Sequence, residues 1–283
     1  MFKLGNSLTK TILLTLGLLL LNACSDETVP VATTAEEAAP ATTVAPAPEP
    51  PSQPNVVELR AVGMTFEGPT EIPSGWTTFR FVNASSMIHF AIIDEPPEGV
   101  SVETFSEDVV VPFQVAMDAM NAGDKDAVNA AFATFPDWIG ELGRQGGPGF
   151  LSPGRTGQTT VYLQPGYYIL ECYVKSDGVF HTTPPEPGRL GMVLGVTVTD
   201  EMSDAPEPQA NVTLAVRNTG FEITDGALQA GRNTIRVDFV EQQALPSFVG
   251  NDVHLMRIDD ETSVAQAGAW MDWRTPNGLE DPS

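Results

Sequence analysis

From Val56 onward the chain is written in short runs whose apolar residues alternate with polar ones, each run closed by a turn. Val57-Glu-Leu-Arg-Ala61 and Phe79-Arg-Phe81 alternate, and Thr234-Ile-Arg-Val-Asp-Phe239 sets Ile235, Val237 and Phe239 on one face. A period of two belongs to strands, because successive side chains leave opposite faces of a sheet. Ile72-Pro-Ser-Gly75 and Gln164-Pro-Gly166 read as turns between strands, and 25 Gly with 24 Pro fit a chain that turns often. The pattern predicts an all-β sandwich and argues against a helical bundle.

One stretch departs from it. Residues 112–136 are rich in Ala and Met, with Phe113, Met117 and Met120 at helical spacing and Val128, Phe132 and Phe135 after them. Asp124 is placed to cap a second short helix, and Pro136 follows its end. The segment is expected to be a helical insertion with its apolar face on the core.

The chain also repeats. Thr65-Phe-Glu67 returns as Gly220-Phe-Glu222, and each is followed by a turn glycine (Gly75, Gly231) and an alternating strand. His89-Phe-Ala-Ile-Ile-Asp94 parallels His254-Leu-Met-Arg-Ile-Asp259, and Asp137-Trp138 parallels Asp272-Trp273. The expected organisation is a domain over residues 56–200, a linker over 201–210 and a second, incomplete repeat of that domain's fold over 211–283.

Charge and scarce residue types remove most function classes. With 37 Asp+Glu against 14 Lys+Arg the formal net charge is −23, which opposes nucleic-acid phosphates and anionic headgroups alike. Three His are too few for the several centres of a multicopper oxidase, and two Cys make no disulfide scaffold. His-Glu-x-x-His, Gly-x-Ser-x-Gly and phosphate-loop patterns are absent, so the chain is not read as an enzyme.

The run from Leu163 to Thr199 holds the chemistry. A strand Gly166-Tyr-Tyr-Ile-Leu-Glu-Cys172 places Tyr168, Leu170 and Cys172 on one face; a loop then carries His181, and Gly191-Met192 opens the last strand. Pro165-Gly166-x-Tyr168-x-x-x-Cys172, His181 and Gly191-Met192, with His89 following an earlier strand, resemble the cupredoxin (blue, type 1 copper) family. The resemblance implies a Greek-key β-sandwich, His89, Cys172 and His181 as strong ligands of one copper ion, and Met192 as a weak axial one. Two imidazoles, a thiolate and a thioether suit both copper oxidation states, which is what electron transfer needs. Eight residues separate Cys172 from His181 and ten more precede Met192, longer than most small copper-binding members carry. A copper-free binding module of the cell envelope, and a carrier holding Cu(I) without redox turnover, are alternative readings. His254 has no Cys or second His after it and reads as structural.

At the N-terminus, Lys3 and Lys10 precede the apolar run Thr11 to Leu21, which ends in Leu21-Asn22-Ala23-Cys24. This resembles a bacterial lipoprotein signal (residues 1–24) with Cys24 as the lipid-modified residue. Residues 25–55, rich in Pro, Ala, Thr and Glu, are expected to be a tether spanning roughly 30 Å as a random chain and about 90 Å as polyproline II. The expected setting is a membrane of the bacterial cell envelope, facing the periplasm or exterior, with a basic redox partner such as a cytochrome drawn by the acidic surface.

Overall fold

The computed structural model describes residues 54–242, 250–258 and 260–282. Cys24 and the signal segment, and the tether as far as residue 53, lie outside them. The first unit contains β1 (Asn55–Val62), β2 (Thr65–Glu67), β3 (Glu71–Asn83) and β4 (Ile92–Glu95). After helices come β5 (Gly143–Arg144), β6 (Thr156–Leu163), β7 (Gly166–Glu171), β8 (Lys175–Ser176), β9 (Val179–Phe180) and β10 (Val193–Met202).

Two layers form because β3 serves both. Its later residues pair in parallel with β1, from Asn55↔Thr77 to Ala61↔Asn83, and antiparallel with β6. Its first residues, Glu71 to Ser74, pair with β10, which continues through β7 to β4 and β5. Ile72-Pro-Ser-Gly75, expected to be a turn, is therefore the place inside one long strand where the chain passes from one layer to the other. Pro73 is tolerated there because that stretch lies beyond the β1 ladder. Gln164-Pro-Gly166 does turn, between β6 and β7.

The core lies between the layers. Leu59, Phe66, Phe79 and Phe81 from one meet Ile93, Tyr168, Leu170, Cys172, Val196 and Val198 from the other, all buried. Tyr168 keeps its hydroxyl satisfied by donating to the Gln164 carbonyl at 3.0 Å. Cys172 thus sits at the end of an apolar strand face, as the period-two pattern requires.

The helical insertion is longer than residues 112–136. It starts with α1 (Val102–Phe105), continues through a π-helical stretch at Ser106–Val110 into α2 (Val111–Asn121), then α3 (Lys125–Phe132) and a 3₁₀ turn at Asp137–Glu141. The run Val109-Val110-Val111, β-branched and poor in helix propensity, hides its first half from the sequence pattern. The widened π turn precedes Pro112, whose ring would clash with the carbonyl four residues back in a regular helix. Asp124 caps α3 as expected, accepting from the Ala127 amide at 3.0 Å. Val102, Phe105 and Val110 cover the outer face of β7 and β10 at Ile169 and Val193.

After Met202 come β11 (Val212–Arg217), β12 (Gly220–Gly226) and β13 (Ile235–Phe239), then α4 (Val264–Met271). β11 pairs antiparallel with β12 and parallel with β13, the pairing that β1 makes with β2 and β3. Ala61↔Phe66 corresponds to Val216↔Phe221, so the sequence repeat is also a repeat of register. The environments differ: Phe66 is 8% exposed, Phe221 64%. No helix among the described residues is long and apolar enough to cross a membrane.

Candidate metal centre

Four residues widely separated in sequence reach one end of the sandwich. His89 stands just before β4, tied to Leu151 by a pair of backbone bonds (His89 N to Leu151 O at 3.2 Å, the reverse at 2.8 Å). Cys172 follows the last residue of β7, His181 follows β9, and Met192 precedes β10. All four are buried, none more than 1% exposed.

The long loop between Cys172 and His181 is ordered by its own hairpin. β8 and β9 pair across Asp177-Gly178, both at positive φ (54° and 79°), which is the two-residue turn that follows the twist of a hairpin. Asp-Gly is a strong sequence signal for this turn, and it explains how eight residues return His181 to Cys172. The hairpin closes with His181 N donating to the Val174 carbonyl at 2.8 Å. Met192 N then donates to His181 O at 2.7 Å, and Cys172 N to Met192 O at 3.2 Å. Gly191 is required here, because a Cβ would fall 2.0 Å from the Thr182 carbonyl oxygen.

The three strong donor atoms face one another. Cys172 Sγ lies 3.6 Å from His89 Nδ1 and 3.7 Å from His181 Nδ1, and the two Nδ1 atoms are 3.2 Å apart. A point equidistant from all three is about 2 Å from each, the length of a metal–imidazole or metal–thiolate bond. His181 Nε2 is 2.9 Å from Ser176 Oγ, whose own hydroxyl faces Met87 Sδ at 3.7 Å, so the oxygen can accept an Nε2 proton and leave the Nδ1 lone pair for the centre. Nε2 of His89 closes no hydrogen bond, although the Gly63 backbone is near enough to favour its protonated form.

Burial sets the protonation of this group. It pulls both imidazoles down to about 4, helped at His181 by the neighbouring His89, so each is neutral and able to coordinate. It pushes the Cys172 thiol up to about 12, even though the amides of Phe90 and Val174 favour the thiolate. A thiolate at this depth needs a cation beside it. His89, Cys172 and His181 are the group among the described residues whose donor atoms gather tightly enough for a metal, all within 4.8 Å. Two neutral Nδ1 donors and one thiol in a dry pocket, with the Met192 thioether side chain buried beside them, fit a single type 1 copper.

His254 stands apart, stacked on Phe150 with ring centroids 4.3 Å apart and 3.2 Å from Asp252 Oδ2. Sequence reasoning passed over Asn83. This buried side chain donates to Met87 O at 2.7 Å and Leu151 O at 2.8 Å while accepting from Ser85 N, and so shapes the approach to His89. The Asn-Ala-Ser-Ser run, rich in side chains that bond to nearby backbone, was its signal.

A β-sandwich that delivers two imidazole nitrogens and a thiol to one buried point, from the ends of its strands, settles the architecture. The fold is cupredoxin-like. No protein-family model matches the chain, and no curated protein matches it. Among solved structures the chain is similar to dithionite-reduced auracyanin from Roseiflexus castenholzii (21% identity, 52% of this chain and 98% of that one, TM-score 0.27). It is also similar to auracyanin A, a "blue" copper protein from Chloroflexus aurantiacus (19% identity, 52% and 99%, TM-score 0.28). A blue copper oxidase from Nitrosomonas europaea is 12% identical over 58% of this chain and 45% of that one, with a TM-score of 0.24.

Proposed function

We propose that the chain is an electron-transfer protein, not an enzyme, in which His89 Nδ1, His181 Nδ1 and the Cys172 thiolate would hold one copper ion, with the Met192 thioether as a weaker fourth donor. The donor triangle carries this reading: three atoms 3.2–3.7 Å apart and already facing one centre. Such an ion supplies a one-electron couple whose two states share a coordination geometry. The residues do the rest. The backbone bonds joining Cys172, His181 and Met192 fix the ligands in place, and Ser176 sets the His181 tautomer. Burial excludes water from all four side chains.

Lipid attachment at Cys24 and a place on a bacterial envelope membrane complete the proposal, supported by the signal-like run that precedes that residue. The acidic surface suits a basic redox partner.

The test is addition of Cu(II) to the chain without its first 24 residues. An intense thiolate-to-copper charge-transfer band in the visible is expected, and Cys172→Ser removes it. Absence of both band and bound copper after dialysis sinks the proposal in favour of a copper-free module. Retention of Cu(I) with no such band for Cu(II) indicates a carrier.

A further inference from the structure

The loop between the metal-site residues is held by a segment about a hundred residues further along the chain. Lys175 N donates to Leu279 O at 2.8 Å and Asp281 N donates back to Lys175 O at 2.8 Å, a short parallel bridge between the Cys172–His181 loop and the chain's last described residues. The Lys175 side chain is buried, and its Nζ donates to the carbonyls of Thr275 (2.7 Å), Pro276 (3.2 Å) and Trp273 (3.4 Å). The Glu280 carboxylate accepts from Gly178 N in the hairpin turn. On the other side of the site, Asp281 Oδ1 accepts from the Ile88 amide at 3.3 Å, one residue before His89.

Aromatic contacts anchor the same segment. Trp273 packs on Phe113 of α2 at 5.3 Å, and Trp270 packs edge-on against Phe150, itself against Phe90 beside His89. Trp270 Nε1 donates to Glu280 O, holding the segment to the end of α4.

We propose that residues 270–281 of the second unit are a positioning clamp for the metal site, acting on His181 through Lys175 and on His89 through Asp281. The second unit then serves the first in cis. An eight-residue loop carries more freedom than a short one, and a buried ammonium satisfied by three fixed carbonyls removes it. Glu280, Asp281 and Lys175 are not ligands in this arrangement; they hold the backbone at Ile88, Lys175 and Gly178, beside and between the residues that are.

The inference rests on the copper reading for its purpose, and its test separates the two. The full chain is compared with Lys175→Met, which keeps length and removes the donors, and with Asp281→Ala, which removes the acceptor of the Ile88 amide. Lys125→Met, an exposed lysine, serves as control. In the metal-free protein, amide exchange at Lys175, His181 and Ile88 is expected to accelerate in the variants and not in the control. In the copper-loaded protein, metal loss to a chelator is expected to rise about 10–100-fold, with a shifted charge-transfer band. Exchange and metal loss matching wild type in a folded variant would overturn the clamp. A wild-type chain that takes no copper would end the copper reading, while exchange still decides the clamp. If circular dichroism shows Lys175→Met unfolded, Asp281→Ala decides both readouts.

Discussion

Buried Asp94 and half-buried Glu171 form a second polar group, on the far side of β7 from Cys172. Asp94 is 0% exposed, its side-chain partner is the Glu171 carboxyl, which bonds to it when protonated, and Arg144 Nε approaches only to 3.6 Å. Desolvation raises Asp94 to about 6 against the attraction of Arg144, and raises Glu171 as well, because two carboxyls sharing a dry site resist ionising together. The folded chain therefore binds more protons than the unfolded chain between pH 4 and about 6. Stability falls as pH rises through that window, and the raised Glu171 carries the fall further up. Asp94→Asn keeps the shape and removes the charge, so it is expected to stabilise the protein at pH 7 by about 1–3 kcal/mol. Denaturant midpoints from pH 4 to 7 check this. A variant no more stable than wild type at pH 7, or one keeping the wild-type slope, refutes it.

At the scale of elements, the β8–β9 hairpin decides where His181 stands. Gly178 has φ +79° and nothing within 4 Å of where a Cβ would be, so Gly178→Ala costs backbone conformation alone, about 1–2 kcal/mol. Gly123, between α2 and α3, has φ +72° and the same open surroundings. The two alanine variants are expected to lose similar stability in thermal unfolding, but only Gly178→Ala to weaken copper binding in titration. Equal copper affinity in both would show that the hairpin does not set the site. The turn also marks what a sequence discloses. Tyr168, Leu170 and Cys172 were legible because a strand's alternation is local. Asp177-Gly178 was equally local yet went unread, so the loop looked too long. Pro73 and Gly75 misled for the opposite reason: their turn-like composition serves a strand that changes layers, and only the pairing of β3 with both β1 and β10 reveals it. The contacts of Lys175 with residues some hundred positions away leave no trace in either run.

Across the whole molecule, β11–β13 repeat the pairing of β1–β3, residues 56–200 carry the metal site, and residues 270–281 lie against it. The charge is a property at this scale. A formal −23 surrounds a centre whose ligands are buried, so a charged reagent meets the long-range field, attractive to a cation and repulsive to an anion, before any contact forms. Raising ionic strength from about 0.01 M to about 0.15 M shortens the Debye length from about 30 to about 8 Å and removes most of that attraction. Reduction of the copper-loaded protein by a basic reduced cytochrome is expected to slow steeply over this range in stopped-flow measurements. Oxidation of the reduced protein by anionic ferricyanide is expected to speed up, since screening relieves a repulsion. Opposite salt slopes for reagents of opposite charge separate steering from any general effect of salt on the site. Slopes of the same sign would mean that the acidic surface does not guide the partner to this centre.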